Sequence, residues 1–399
     1  MDNKLSSLFW EGYELKDSSL ISESHILIHL QPIAPARCGH CQSMCLRIHD
    51  RSVRQVRDHD ILGYRLTIKL PVRRVRCYAC MAVCREWIEW LPPHSRFTTR
   101  LLSYVEQLVR ILPILHVAQL VCLSWHTVKE IDKQRLAREV TPPDYTKVKR
   151  LIMDEFALHK GHRYATIITD AETMKVLWIG VGRTRQSIRP FFKELGSQCE
   201  HIEAVAMDQN TAFDLEVKMH CPTAEVVYDL FHVIAKYGRE VIDRVRVDQA
   251  NQLKHDKPGR KLIKRSRWLL LKNRQNLTDF QQIELHELME ANQSLALVYI
   301  MKEQLKDLWY ADSIWDAFKR WRQWWKMAMD SDVEPLKIFC RRLRPYLRGI
   351  LASAKYPLHT SGLEGINNKI KVIKRMAYGY RDIEYFFLKI KAAFPGLRR

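Results

Sequence analysis

The chain has 399 residues and is 47% apolar, enough for two or three domains with proper cores, so a largely disordered protein is excluded. Its 65 lysines and arginines against 45 acids leave a formal charge of +20, which favours a polyanionic partner, either nucleic acid or an acidic membrane surface. No apolar run approaches the roughly 18 residues of a membrane span, and no long basic helix with an exposed apolar face is evident. The N-terminus is acidic and amphipathic and carries no signal-peptide pattern. A cytoplasmic protein is expected, with its ten cysteines as thiols or metal ligands rather than disulfides and no membrane role.

Six of the ten cysteines fall between Cys38 and Cys84. Cys38-Gly-His-Cys41 and Cys77-Tyr-Ala-Cys80 each present two thiolates from one tight turn, and two such knuckles make a tetrahedral Zn²⁺ site. Between them "YRLTIKL" alternates Tyr64, Leu66, Ile68 and Leu70 with polar residues, a half-buried strand, so a structural zinc ribbon is expected. The gap between the pairs is long, and Cys45 and Cys84 each follow a pair by four, so the ligand register stays open.

Residues 97–140 read as helices, with Leu101, Val105, Leu108 and Leu112 at helical spacing before Pro113 breaks the chain. A short helix over about His116–Cys122, a turn at Leu123-Ser124 and a second helix from Trp125 fit a helix-turn-helix. Ser124 is a good N-cap, Val128 and Ile131 would face inward, and Trp125, His126, Lys129 and Lys133 would face DNA. "TPPDYTK" reads as a linker.

From Lys149 the pattern becomes βββαβαβα: strands "RLIMDEF", "RYATIITD", "KVLWIGVG", "IEAVAMD" and "AEVVYD", with helices "RQSIRPFFKELG" and "TAFDLEVKMH". A right-handed crossover can lay "AVAMD" parallel to the first strand, which sets Asp154 and Asp208 side by side. Residues 230–355 are helical and basic and hold six of the eleven tryptophans, whose ordinary role is to fill helical cores, although one could stack on an unstacked base.

The last element, "SGLEGINNKIKVIKRM", places Glu364 ahead of Lys369, Lys371, Lys374 and Arg375. Two strand carboxylates and one helix carboxylate can hold two Mg²⁺ ions, hard cations that prefer oxygen, and the basic residues would hold DNA phosphates against them. Each acid also has a plainer reading. Asp208 and Asp229 end strands and could cap the helices that follow, and Ser361 with Glu364 fits a capping box.

Three stretches together resemble the DDE transposases of bacterial insertion sequences, in the zinc-ribbon ISL-three family: "VRDHDILGYRLTIKLPVRRVRCYAC"; "MDEFALHKGHRYATIITD" with "AMDQNTAFDLEV"; and "LEGINNKIKVIKRMAYGYRD". The resemblance spans nearly the whole chain and implies that the sequence is full-length. It implies a multidomain α/β protein: zinc ribbon, helix-turn-helix, and an RNase H-like mixed-sheet core interrupted by an all-α insertion. The expected boundaries are 1–95, 96–145, 146–235, 236–355 and 356–399. Asp154, Asp208 and Glu364 fall on the family's three acids, and "DLFH" resembles an accessory element, which adds Asp229 and His232. The implied reaction is Mg²⁺-dependent cleavage at the terminal inverted repeats and strand transfer into target DNA, by a homodimer or higher oligomer on double-stranded DNA. The competing readings are a non-enzymatic DNA-binding regulator built on the same N-terminal modules, and an RNA-binding protein, although no aromatic RNA-binding motif stands out.

Overall fold

The computed structural model describes residues 8–397 apart from 160, 162, 359 and 360, with backbone only for 361–363. The chain forms two compact units, Met1–Glu139 with Met376–Tyr380, and Val140–Arg375 with Arg381–Arg399.

The first unit opens with β1 (Tyr13–Ser22), β2 (His25–Pro32), β3 (Ala36–Arg37), β4 (Met44–Cys45), β5 (Ile48–Ile61), β6 (Tyr64–Arg76) and β7 (Val83–Arg85). Its main sheet runs β1-β2-β6-β5, with β7 also on β6, and only the β2–β6 pair is parallel. The strand expected over Tyr64–Leu70 continues to Arg76, because β5 pairs with β6 along nearly its full length; Tyr64 is exposed, and the inward alternation of Leu66, Ile68, Leu70 and Val72 shifts phase at Arg73, which is buried against Glu86. This hairpin turns at Leu62 (φ 49°) and Gly63 (φ 84°), the paired positive φ of a tight type I′ connection. It fills the 35 residues between the two cysteine pairs, which accounts for their wide spacing. The β1–β2 hairpin was not expected; Ile28 and Leu30 of β2 are buried with Leu66, Ile68 and Val56.

Helices α1 (Thr99–Leu108), α2 (Ile114–Leu120) and α3 (Trp125–Glu139) follow. The α2 helix lies two residues earlier than expected, starting directly after Pro113 and ending before Cys122 (φ 50°). Ser124 Oγ accepts from Thr127 N (3.2 Å), and Val128 and Ile131 are buried in the three-helix core. Buried Asp58 on β5 accepts from the Trp10 indole, the Thr98 hydroxyl and Arg100, and so ties the sheet to the start of α1.

The second unit carries β8 (Arg150–His159), β9 (Arg163–Asp170), β10 (Val176–Val181), α4 (Arg185–Leu195), β11 (Ala204–Met207), α5 (Thr211–His220), β12 (Glu225–Tyr228) and α6 (Leu230–Tyr237). This is the βββαβαβα order read from the sequence. The sheet order is β10-β9-β8-β11-β12: β8, β9 and β10 form antiparallel hairpins, and β11 is parallel to both β8 and β12. The parallel register pairs Ala206 with Ile152 and Met207 with Tyr228, so Asp208 and Asp229 leave adjacent strands at one end, beside Asp154 on β8. Ala204, Val205, Ala206 and Met207 are fully buried, as fits β11, an interior strand with parallel neighbours on both sides, next to central β8.

Helices α7 (Asp243–Gln252), α8 (Lys257–Arg265), α9 (Arg267–Leu271), α10 (Asp279–Ala291), α11 (Gln293–Lys306), α12 (Ile314–Asp330), α13 (Glu334–Leu343) and α14 (Leu347–Leu351) come next, before α15 (Ser361–Met376) and α16 (Ile383–Ala393). Trp309, Trp321 and Trp324 are buried and Trp325 packs against the same core, whereas Trp268 and Trp315 are exposed. Two of the buried indoles reach backbone carbonyls, Trp309 to Tyr228 O (2.9 Å) and Trp324 to Met301 O (2.8 Å). Among the described residues no helix is long and apolar enough to cross a membrane.

Candidate active site and metal centres

Both CxxC pairs sit at hairpin tips, Cys38–Cys41 between β3 and β4 and Cys77–Cys80 between β6 and β7. Gly39 is needed there, since a Cβ would lie 2.3 Å from Arg85 O. The sulfurs of Cys38, Cys41, Cys77 and Cys80 all lie within 4.8 Å of one another. The Cys38–Cys80 and Cys41–Cys77 separations are 3.6 and 3.5 Å. A tetrahedron with Zn–S of about 2.3 Å has edges of about 3.8 Å, so the four thiolates fit Zn²⁺ with little adjustment. Burial opposes ionisation of Cys38, but the Cys41 and His40 N–H groups directed at its sulfur hold the thiol down at about 6. Cys84 Sγ is 3.5 Å from Cys38 Sγ, and Cys45 is buried beside the group, but neither belongs to the four.

In the second unit, ligand atoms of Asp154, Asp208 and His232 also lie within 4.8 Å of one another. Both Asp154 oxygens are engaged: Oδ1 accepts from the Glu155 backbone N–H (2.7 Å) and Oδ2 from Asn367 Nδ2 (2.6 Å). His232 stands one turn into α6, its Nδ1 2.8 Å from Asp208 Oδ2 and its Nε2 3.6 Å from Asp229 Oδ2. Asp229 also acts as the N-cap of α6, accepting from Phe231 N (3.0 Å). The capping reading therefore holds for Asp229, while Asp208 leaves that task to Asn210, which caps α5.

Burial raises the Asp154 carboxyl to about 6, and the Asp208 charge adds to the rise against the Glu155 N–H, Asn367 and His232. Burial alone would lower His232, but its hydrogen bond to Asp208 and the charges of Asp208, Asp229 and Asp154 hold it above its ordinary value. A partly desolvated carboxylate pair with one imidazole is a donor set that a divalent cation satisfies. The residues thus fit the metal that this arrangement implies.

Glu364 is exposed on α15, and its carboxylate stands outside the three-residue group; Asn367, one turn further along the same helix, is the residue that reaches Asp154. The side chain of Ser361 lies outside the described residues, so the capping box expected there has no structural counterpart to report. Of the basic residues after Glu364, Lys369 Nζ donates to Ala393 O (2.9 Å) and Lys374 Nζ to Ala157 O (3.2 Å), whereas Lys371 and Arg375 are exposed. On the recognition helix, Trp125 and His126 are exposed and stacked with ring centroids 3.6 Å apart, and Lys129 and Lys133 are half-buried. Next to them Asp132 and Arg135 form a buried ion pair (2.6 Å).

An open cleft of about 880 Å³ leads away from Asp208 and His232. Arg183, Arg185, Lys236 and Arg239 line it together with Glu155 and Asn210. Of this basic side Arg185 is fixed by fully buried Glu216 on α5 (2.6 Å), which also holds Arg189 (3.1 Å). Sequence reading passed over Glu155, Asn210, Glu216 and Asn367. Only Asn367 left a signal, its i+3 spacing from Glu364.

Three family models match the chain. A model described as "Transposase" covers residues 151–390, "Helix-turn-helix domain of transposase family ISL3" covers 88–136, and "zinc-finger of transposase IS204/IS1001/IS1096/IS1165" covers 34–80. The chain is 49% identical over 405 aligned positions to the "Transposase for insertion sequence element IS1001" of Bordetella parapertussis, with 100% of both chains covered. It is 24% identical to the "Transposase for insertion sequence element IS1557" of Mycobacterium tuberculosis, over 93% of this chain and 89% of that one.

Proposed function

The chain belongs to the ISL3 family of insertion-sequence transposases, and from that premise we propose how its residues cut and join DNA. It is a DDE-type enzyme with a zinc ribbon and a helix-turn-helix, not a regulator that only binds DNA. The zinc of the ribbon is structural, and the family implies a divalent metal such as Mg²⁺ for the acids.

In our reading the sheet of the second unit, with α4 to α6 and the last two helices, is an RNase H-like core, and α7 to α14 form an all-α insertion in it. Asp154, Asp208 and Glu364 are the catalytic acids. The single observation that carries this reading is the hydrogen bond between Asp154 and Asn367, because residues three apart on a helix share a face. It brings the helix of Glu364 onto the acid pair of the sheet, across more than two hundred residues of sequence.

Metal bound there supplies Lewis-acid polarisation of a phosphoryl oxygen and a more acidic water or 3′-hydroxyl. The protein does the rest by positioning. Asp154 is held by hydrogen bonds to both of its oxygens, which fixes its remaining lone pairs. His232 sets the orientation of Asp208 and is itself braced by Asp229, so the two serve as accessory residues. Arg183, Arg185, Lys236 and Arg239 offer phosphate contacts along the cleft, with Arg185 held in place by Glu216. Lys371 and Arg375 extend that surface from α15, while Lys369 and Lys374 act first as ties to the protein's own carbonyls.

Trp125, His126, Lys129 and Lys133 contact the terminal inverted repeats, and pairing two ends calls for at least a homodimer on DNA. The test is excision from a donor plasmid that carries the native flanks of the gene, with wild-type or Glu364→Gln protein supplied separately. The proposal expects excision with wild type only, at equal binding to the ends. Equal excision by both would remove Glu364 from the mechanism.

A further inference from the structure

The two ends of the Asn367 amide stand differently. Its Nδ2 donates to Asp154 Oδ2 at 2.6 Å, which fixes the amide plane and directs Oδ1 the other way. That oxygen is buried and takes no hydrogen bond from any described residue. Buried acceptors are rarely left so, and an orphan beside a functional site commonly marks the place of an ion or a water. The orphan belongs to the same planar group that holds Asp154, and Asp154 in turn stands within 4.8 Å of Asp208 and His232. A neutral carbonyl-type oxygen is also the ligand that a hard cation accepts alongside carboxylates.

We propose that Asn367 is a positioning residue of the metal site, locking Asp154 through its N–H while its amide oxygen faces the cation or the water that the cation holds. The inference rests on the reading of Asp154 as a metal ligand. It goes beyond that reading because it assigns the spacing Glu364 to Asn367 a purpose: one turn of α15 supplies both a carboxylate and a neutral oxygen. A plain structural tie between helix and sheet would need only the N–H. It would gain nothing from an oxygen buried without a donor.

The experiment is Mn²⁺ binding to the full-length, zinc-loaded chain without DNA, followed by electron paramagnetic resonance. Asn367→Ala is expected to weaken binding by roughly 10–100-fold, the usual loss when a residue that orients a ligand is removed. Asn367→Asp loses the N–H to Asp154 as Asn367→Ala does but keeps an oxygen for the cation, so it is expected to bind Mn²⁺ at least about tenfold more tightly than Asn367→Ala, whereas two variants that had merely lost a structural tie would bind alike. Asn368→Ala, at the exposed neighbour, serves as the unchanged control. If Asn367→Ala fails to fold, Asn367→Leu, which also lacks the oxygen, takes its place in that comparison. Binding by Asn367→Asp no tighter than by the variant without the oxygen overturns the inference. Asp154→Asn in the same titration separates the two levels: if it binds Mn²⁺ as wild type does, the site reading itself falls; if it binds weakly while the Asn367 variants match wild type, only the role of Asn367 falls.

Discussion

Replacing Asp154 by Asn should stabilise the metal-free protein while abolishing its chemistry. The carboxyl titrates at about 6 in the folded chain, against about 3.9 unfolded. The native state therefore holds this proton more tightly than the unfolded state. A raised acid costs nothing below pH 4, costs progressively more up to pH 6, and costs a constant amount above it. About two pKa units at 1.36 kcal/mol each give roughly 3 kcal/mol at pH 8, and about half of that at pH 5. For a unit of some 250 residues this corresponds to a melting temperature raised by roughly 5–10 °C at pH 8. The measurement is thermal unfolding of both proteins with chelator specific for Mg²⁺-type ions, at pH 8 and pH 5, then again with Mg²⁺. The gain should shrink at pH 5, and Mg²⁺ should raise the wild type alone. An Asp154→Asn protein that melts at or below wild type at pH 8 without metal would refute the argument, because the acid would then be stabilised where it stands.

Four further outcomes follow from the geometry. Glu364→Gln should retain element-end binding in a gel-shift assay and lose cleavage of a labelled end. Cys77→Ser should release zinc and end-specific DNA binding together, since such a metal contributes roughly 10–16 kcal/mol to its fold, whereas Cys84→Ser and Cys45→Ser should each retain one zinc per chain by atomic absorption. Glu216→Ala should destabilise the second unit by only about 1 kcal/mol in denaturant melts, because Arg185 and Arg189 stay partly exposed and are solvated when their buried partner is lost. Lys129→Ala with Lys133→Ala should lower the salt dependence of end binding by about two phosphate equivalents, and an unchanged slope would remove them from the DNA contact.

Sequence patterns reached the local features of this molecule better than the distant ones. Alternation and helical spacing carried the order of elements from Arg150 to Tyr228, because each strand or helix there buries one face against the same sheet. The cysteine pairs were legible because a knuckle is a four-residue object. The β1–β2 hairpin was not, as most of β1 is exposed and offers no clear period. Asp58 sits in the charged run "RSVRQVRDHD", and nothing local distinguishes the one acid there that is buried under Trp10, Thr98 and Arg100. The strand order that sets Asp154 beside Asp208 could be argued from a right-handed crossover, whereas His232 was reached only through the resemblance of "DLFH", and the i+3 spacing of Asn367 from Glu364 does not say which acid it meets. An amide is the hardest case: it does not titrate, and on a basic helix it reads as surface. The same holds for the ammonium groups of Lys369 and Lys374, which end on carbonyls of the protein itself.

The path of the chain also sets a schedule. The strands bearing Asp154 and leading to Asp208 are finished by Tyr228, but the helix of Glu364 and Asn367 begins only at Ser361. At roughly 5–20 residues per second, a ribosome needs about 7–27 s to cover that interval. Met376–Tyr380 then joins the first unit before Arg381 returns to the second, so neither unit is complete until translation is nearly over. A prematurely terminated polypeptide thus lacks both the helix of Glu364 and Asn367 and the segment that completes the first unit. A chain that stops before Ser361 therefore leaves both units unfinished, and only copies translated past that helix can join Asn367 to Asp154.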